Sequence, residues 1–134
     1  MESARYIGLG LGSTFVDVGC RDGFFSIPAA RLVGPKGRVY CVDTSGEAID
    51  ILKKEATKAS LENLTLRVGR AEETVFCKAC ADFVFFGIVL HDFPDTDKVL
   101  TNARTMLKSS GCLVDLDWKK GTHAIRPAAA NKAQ

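Results

Sequence analysis

Short apolar runs typical of strands alternate along the chain with segments whose apolar residues recur at helical spacing. The first short run, residues 14–18, consists of β-branched and aromatic residues and ends at Gly19, whereas the apolar residues within 24–32 recur at helical spacing. A strand, a tight turn and a helix are therefore predicted. The alternation continues, and it predicts further strands at residues 38–42, 64–68, 82–90 and 112–116 and further helices at residues 47–59 and 95–107.

This order of elements predicts the fold class. Each helix between two strands carries the chain back to start another strand in the same direction, so βαβ units build a parallel sheet with helices on both faces. Residues 82–90 form the most apolar strand, which is typical of the centre of such a sheet. We predict an α/β, Rossmann-like, doubly wound, mostly parallel sheet of about five strands within residues 1–118. Residues 119–134 show no period and are predicted to form a disordered tail.

Length and charge narrow the classes of function. The 134 residues suffice for one domain, and 18 basic against 16 acidic residues give a formal net charge of +2, which argues against nucleic-acid binding by charge. The longest apolar stretch, residues 83–90, is too short to cross a bilayer, and no signal-peptide pattern precedes the first strand. A cytoplasmic protein without a membrane span is predicted.

Five cysteines stand at positions 20, 41, 77, 80 and 112, and three of them lie in or beside predicted strands. Cysteine behaves there as a small apolar residue, so reduced thiols are expected. Cys77 and Cys80 form a CxxC pair, but a structural zinc site needs four ligands and the sequence offers no second pair. We therefore predict no metal site.

The turn after the first strand is the first candidate binding element, because ligands of open α/β sheets bind beyond the carboxyl ends of the strands. Asp17 lies at the end of that strand, and Gly19 and Gly23 lie in the turn that opens the helix. Glycine permits a positive φ and a close approach by a ligand, and a helix N-terminus favours a carboxylate. The GxGxxG pattern of dinucleotide-binding turns does not follow this strand, which argues against an NAD enzyme.

Asp43 is the second candidate, because it follows the second predicted strand. A carboxylate at this place can accept two hydrogen bonds from a ribose diol. The alternative is that Asp43 only caps the following helix, since aspartate is a favoured cap, as are the neighbouring Thr44 and Ser45.

The segment FVDVGCRDGFFSIPAA resembles the first motif of class I S-adenosylmethionine-dependent methyltransferases, which reads DxGxGxG or ExGxGxG. Asp17, Gly19 and Gly23 match the motif, whereas Arg21 replaces its middle glycine. The resemblance implies S-adenosyl-L-methionine as the cofactor. It also implies that this turn, Cys20 included, surrounds the methionine part of the cofactor.

The resemblance extends to the next two turns. It implies that Asp43, with Thr44 beside it, holds the ribose of the cofactor. The segment VGRAEE resembles the GDAEE segment that follows strand three in the family, where an acid receives the adenine amino group and the next backbone N–H meets the ring. Here Arg70 occupies the acidic position, the N–H of Ala71 is retained, and Glu72 offers a substitute acid.

Residues 81–93 resemble the fourth motif of the family, in which the end of strand four lines the methyl-transfer site. The resemblance, nearest to the ubiquinone and arsenite methyltransferase groups, places Gly87 at the cofactor and His91 near the substrate. The alternative for His91 is a structural hydrogen-bonding role. Methyl transfer to a good nucleophile needs alignment more than a base, so no catalytic residue is predicted.

The resemblance as a whole covers about residues 15–120 and implies methyl transfer to a small-molecule acceptor. The alternative is a catalytically inactive methyltransferase-like domain that serves in binding or assembly, which the positive charges of Arg21 and Arg70 favour. The family continues with a C-terminal β-hairpin, and no such pattern follows Trp118, so the chain resembles a C-terminally shortened member. Its fifth strand would be an exposed edge, for which a homodimer across that edge or a truncated gene product would account.

Overall fold

The computed structural model describes residues 8–87, 93–117 and 121–125. The strands of this part are β1 (Thr14–Val18), β2 (Arg38–Asp43), β3 (Leu64–Val68), β4 (Ala81–Gly87), β5 (Leu107–Asp117) and β6 (Gly121–Ile125). The helices are α1 (Ser26–Val33), α2 (Gly46–Lys58) and α3 (Thr96–Met106), and a 3₁₀ turn spans Ala71–Glu73. The strands form one sheet in the order β3-β2-β1-β4-β5-β6, with β1 to β5 parallel. The predicted parallel α/β fold is confirmed.

An apolar core lies on each face of the sheet. Neighbouring residues of a strand point to opposite faces, so each strand contributes side chains to both cores. In β1, Phe15 packs into one apolar core with residues of α1 and α2, and Val16 packs into a second core with residues of α3. The strand β4 lies between β1 and β5, and neither Phe85 nor Phe86 has exposed surface. The predicted central strand, covered on both faces, is therefore confirmed.

Side-chain caps fix where two of the helices begin. The hydroxyl of Ser45 accepts a hydrogen bond from the Ala48 N–H at 3.1 Å and opens α2, and the carboxylate of Asp95 accepts one from the Lys98 N–H at 3.0 Å and opens α3. Each bond satisfies a backbone donor that the first helical turn leaves unpaired.

The structure differs from the sequence prediction after Trp118. Residues Gly121–Ile125, predicted as part of a disordered tail, form β6, which pairs antiparallel with β5 in a register that places Leu113 opposite Ile125. The strand β5 is therefore not the edge of the sheet, and the reason for expecting a homodimer across it is removed. Backbone pairing, which needs no apolar period, holds β6 in place.

The cysteines divide into two groups. Cys20, Cys41 and Cys112 are buried free thiols, as predicted. Cys77 and Cys80 form a disulfide in the loop between the 3₁₀ turn and β4, which corrects the expectation of reduced thiols for this pair. Their Cα atoms lie 5.9 Å apart, a separation that a disulfide can span.

Two absences concern only the described part of the chain. Within residues 8–87, 93–117 and 121–125, no group of three or more acidic, histidine or cysteine side chains is arranged to hold a metal ion. None of the helices in those ranges has the length and apolar character of a membrane span.

Candidate functional site

A cleft of about 380 Å³ lies at the carboxyl ends of β1, β2 and β3. Three turns line it together with the segment that leads into α3. The polar lining consists of Asp43, Thr44, Arg70 and Glu72, and Gly19 and Ala71 also line it. Phe93 and Pro94 complete the apolar part of the lining. The cleft therefore lies at the edge where open α/β sheets bind ligands.

The first turn is tied to the second strand through its backbone. The N–H groups of Gly19 and Cys20 donate to the carbonyl oxygen of Val42 at 2.9 and 3.0 Å. Gly23 closes the turn with a φ of +98°, and a Cβ atom there would overlap the side chain of Leu52 in α2. Any other residue would be strained at this φ and would require the Leu52 side chain or the turn to move.

Arg21 takes the conformation that a glycine would take at the same place. Its φ is +54°, in the left-handed region, and its backbone N–H donates to Oδ2 of Asp43 at 2.9 Å. The residue is exposed and is not part of the cleft lining. The substitution of arginine for the middle glycine therefore keeps the path of the turn and leaves the cleft open.

Asp43 is held in one orientation by two backbone donors. Its Oδ2 accepts from Arg21, and its Oδ1 accepts from the Ser45 N–H at 2.9 Å. Each carboxylate oxygen has two acceptor sites, so one remains on each oxygen. The cap of α2 comes from the Ser45 hydroxyl, so the role of Asp43 is not limited to that of a helix cap.

Asp17 lies beneath the first turn and not in the cleft. It is 1% exposed, and its Oδ2 accepts a hydrogen bond of 2.6 Å from the hydroxyl of Ser26, which in turn accepts from the Cys41 thiol at 3.3 Å. Burial raises the pKa of Asp17 to about 7, against the lowering effect of the Ser26 hydrogen bond and with a smaller contribution from Asp43. Asp17 therefore joins β1 to the start of α1.

Cys20 lies behind the turn as well. It is 4% exposed, and a hydrogen bond with Cys41 together with burial raises the pKa of its thiol far above the ordinary value. The thiol is therefore a packing group and not a nucleophile.

The third turn presents an ion pair to the cleft. Arg70 Nε lies 3.9 Å from Oε1 of Glu72, and Arg70 Nη1 lies 3.4 Å from Oε1 of Glu73. Oε2 of Glu72 also accepts from the Asp95 N–H at 3.4 Å. The side-chain amide of Asn102 in α3 donates to the carbonyl oxygens of Ala71 and Glu72 at 3.0 and 2.8 Å, which fixes the turn against α3.

Of the residues that the sequence predicts for the site, the structure brings these to the cleft: Gly19, Asp43, Thr44, Arg70 and Ala71. Gly87 ends β4 against the ring of Phe25, so closely that a Cβ atom would lie 2.8 Å from Cε2 of that ring. His91 falls outside the described residues. Phe93 and Pro94 were missed, although an aromatic residue just past the end of a central strand is a usable signal.

The parallel sheet, the glycine turn and the cleft at the carboxyl ends define a Rossmann-like α/β domain with a nucleotide-type binding cleft. The sequence profile of the methyltransferase domain family matches residues 10–131. The chain therefore belongs to the methyltransferase domain family, and the resemblance read from its motifs is confirmed.

Individual relatives agree with this assignment. A demethylmenaquinone methyltransferase from Listeria monocytogenes is 31% identical over 116 residues, which are 87% of this chain and 49% of that protein. A SAM-dependent methyltransferase from Aquifex aeolicus superimposes with a TM-score of 0.81 at 26% identity, over 87% of this chain and 62% of that one. An arsenic(III) S-adenosylmethionine methyltransferase from Chlamydomonas reinhardtii gives a TM-score of 0.74 at 26% identity, over 82% and 40% of the two chains. The chain spans about half the length of the curated relatives it matches.

Proposed function

We propose that the chain binds S-adenosyl-L-methionine in the cleft and transfers its methyl group to a small-molecule acceptor. Membership of the methyltransferase domain family supports the reaction. The names of two relatives, which refer to demethylmenaquinone and arsenic(III), support a small acceptor. The cleft volume of about 380 Å³ falls in the range of small-molecule sites.

The observation that carries the proposal is the carboxylate of Asp43. Backbone donors fix it in place and leave one acceptor site on each oxygen, in a cleft that it helps to line. A ribose diol offers two O–H donors at the spacing of one carboxylate, and charge-assisted hydrogen bonds of this kind are about twice as strong as neutral ones. The fit of this group to a nucleoside is therefore good.

The remaining walls fit the other parts of the cofactor. The N–H of Ala71 donates to no acceptor within the described ranges, and Ala71 lines the cleft together with the apolar residues Phe93 and Pro94. A purine ring needs such a donor at its edge and an apolar contact on its face. Gly19 allows the ligand to approach the backbone, and the N-terminal end of α1 beyond the turn favours a carboxylate.

When bound, S-adenosyl-L-methionine supplies an electrophilic methyl group on a positively charged sulfur. The residues that line the cleft would bind the cofactor and orient its methyl group towards the acceptor. Alignment of this kind accounts for a large part of the rate of such a transfer. No proton acceptor is assigned, and a place for His91 near the acceptor stays a prediction.

The arrangement of the two arginines weakens the alternative of an inactive binding or assembly domain. Arg70 is paired with Glu72 and Glu73, and Arg21 is exposed outside the lining of the cleft. Neither therefore adds an uncompensated positive charge to the place where the methyltransferase cofactor is proposed to bind.

Titration calorimetry with S-adenosylhomocysteine and S-adenosylmethionine tests the proposal. We expect micromolar affinity for the wild-type chain and a loss of about tenfold or more for Asp43→Asn, because an amide offers one acceptor oxygen where the diol needs two. Asp50→Asn, on the exposed side of α2, removes the same charge away from the cleft and should leave the affinity unchanged.

The absence of any binding heat from the wild-type chain at high protein concentration would reject the proposal. Equal affinity of the wild type and the folded Asp43→Asn variant would reject the place of the ribose. Circular dichroism of both variants establishes that they are folded.

A further inference from the structure

The disulfide between Cys77 and Cys80 has no part in the proposed function. Cys80 directly precedes β4, so the disulfide lies at the edge of the sheet where the parallel strands begin, opposite the cleft. Both cysteines are partly exposed, whereas the three free cysteines are buried. A thiol reagent in solution therefore reaches this pair before it reaches the buried thiols.

Two features favour reversible opening of the disulfide. Its cysteines are only three positions apart in the sequence, and so short a ring removes little conformational freedom from the open chain. Lys78, between the two cysteines, is exposed, and its positive charge attracts the thiolate that attacks a disulfide. The pair therefore has the properties of an exchanging disulfide.

The ring also holds a backbone conformation that the chain does not favour. Ala79 has a φ of +51°, in the left-handed region, where alanine is rarely found without a constraint. The N–H groups of Ala79 and Cys80 donate to the carbonyl oxygens of Thr105 and Met106 at 3.0 and 2.9 Å, at the end of α3. Opening the disulfide removes the covalent constraint on Ala79, so we expect the loop to leave this conformation and to weaken its contact with α3.

Phe76, next to Cys77, depends on the same part of α3. Its N–H donates to the sulfur of Met106 at 3.3 Å. Its ring stacks on that of Tyr40 with a centroid separation of 4.9 Å, and the guanidinium carbon of Arg67 lies 4.7 Å from the Phe76 ring centroid. Since Met106 contacts the loop on both sides of the ring, a movement of the loop also acts on Phe76.

The segment that carries Phe76 leads directly into the third turn. Only residues 74–76 separate the 3₁₀ turn from the disulfide. The Thr74 hydroxyl and N–H donate to the carbonyl oxygens of Arg70 and Ala71 at 2.7 and 3.3 Å, and both of these residues line the cleft. Neither cysteine lines the cleft, so an effect of the disulfide on a bound ligand has to pass through this segment.

We infer that the Cys77–Cys80 disulfide is a redox switch of the cleft, opened by a dithiol reductant. A thiolate of the reductant attacks one sulfur, forms a mixed disulfide and releases the other cysteine, which takes up a proton. The second thiol of the reductant then displaces the first cysteine, so the pair gains two electrons and two protons and the reductant becomes a disulfide. The open loop holds the third turn less firmly. The resulting loss of ligand affinity rests on the proposed function, whereas the change in the turn does not.

Hydrogen exchange of residues 70–76 tests the switch without any ligand. The wild-type chain is compared after treatment with dithiothreitol and after reoxidation with glutathione disulfide. Reduction should raise the exchange rates of these amides by about fivefold or more. A thiol titration of the native chain should find two reactive thiols after reduction and none after reoxidation, because the other three cysteines are buried.

Titration calorimetry with S-adenosylhomocysteine tests the link with the cleft. We expect the oxidised chain to bind about fivefold or more tightly than the reduced chain, because its third turn is ordered before the ligand enters. The double variant Cys77→Ser/Cys80→Ser should match the reduced wild type in exchange and affinity. It should respond to neither reagent, which controls for effects on the buried thiols.

Equal exchange rates in the two redox states would overturn the switch, whether or not the double variant folds. A pair that these reagents do not interconvert in the native chain would overturn it as well, and so would equal affinities in the two states. If neither state binds S-adenosylhomocysteine while reduction raises the exchange rates, the proposed function fails and the redox control of the third turn stands.

Discussion

Asp17 shows at the scale of single residues how burial changes the chemistry of a motif. Its carboxyl group lies beneath the first turn, hydrogen-bonded to Ser26, and burial raises its pKa from 3.8 to about 7. Because the folded value lies above the unfolded one, the stabilisation from the neutral acid is complete below pH 4. It is lost as the pH rises through about 7.

Asp17→Asn should remove this pH dependence, because asparagine has the same shape and stays neutral. Between pH 4 and pH 8 we expect the stability of the wild type to fall relative to that of the variant by an amount on the order of 4 kcal/mol. Urea unfolding at a series of pH values measures the difference. Asp50→Asn controls for the loss of one negative charge, and a wild-type-to-variant difference that is constant with pH would contradict the prediction.

Gly23 carries a second prediction at this scale. Gly23→Ala places a Cβ atom against the buried Leu52 side chain at a strained φ of +98°, so that side chain or the turn has to move. We expect a loss of at least about 2 kcal/mol in the free energy of unfolding and a weaker affinity for S-adenosylhomocysteine. The control is Gly46→Ala, where no atom lies within 4 Å of the added Cβ. Equal stability of the two variants would show that the turn tolerates a side chain at Gly23.

At the scale of elements, α3 supports the site without touching the proposed ligand. Asn102, on the buried face of α3, donates two hydrogen bonds to the backbone of the 3₁₀ turn that carries Ala71 and Glu72. The cap of the same helix, Asp95, donates its N–H to the Glu72 carboxylate. The turn and the wall formed by Phe93 and Pro94 therefore share one support.

Asn102→Ala should uncouple the turn from α3. The carbonyl oxygens of Ala71 and Glu72 would each lose their side-chain donor, although Ala71 keeps the bond from the Thr74 N–H. We expect a loss of about 2 to 3 kcal/mol in stability and a lower affinity for S-adenosylhomocysteine. Thr101→Ala changes the neighbouring exposed residue of the same helix and should have little effect on either quantity. Chemical unfolding and calorimetry measure both, and an unchanged affinity in a folded Asn102→Ala variant would contradict the coupling.

At the scale of the whole molecule, β6 decides how the sheet ends. Its backbone pairs with β5 from Leu113 to Asp117, on the side of the sheet away from β3. An unpaired strand edge is a template for association with another chain. The strand β6 therefore covers the edge of β5 that could otherwise pair with another chain. The cleft lies elsewhere, at the carboxyl ends of β1, β2 and β3.

Deletion of residues 118–134 should expose the β5 edge. We expect the shortened chain to self-associate as its concentration rises and to keep its affinity for S-adenosylhomocysteine, because the cleft is built from other strands. Light scattering after size-exclusion chromatography, compared with the full chain at the same concentrations, measures the association. A shortened chain that stays monomeric at high concentration would contradict the protective role of β6.

The sequence by itself determined the succession of β1 to β5 and α1 to α3 along the chain, the bounds of β1 and β3, the turn that holds Gly23, and the place of Asp43 at the end of the second strand. These features follow from local causes: the spacing of apolar residues, capping side chains and the conformational freedom of glycine. The family was identified from sequence as well, because each of its motifs is a short continuous segment at the end of a strand.

The tertiary structure decided which groups meet. It placed Asp17 beneath the turn and not in the cleft, turned Arg70 towards Glu72, brought Phe93 to the cleft, and paired β6 with β5. Each of these contacts joins groups whose partner the local pattern does not specify, and burial or backbone pairing selects among the possible partners. Five of the predicted site residues line the cleft, and the packing decided that Asp17 and Cys20 lie behind the first turn instead.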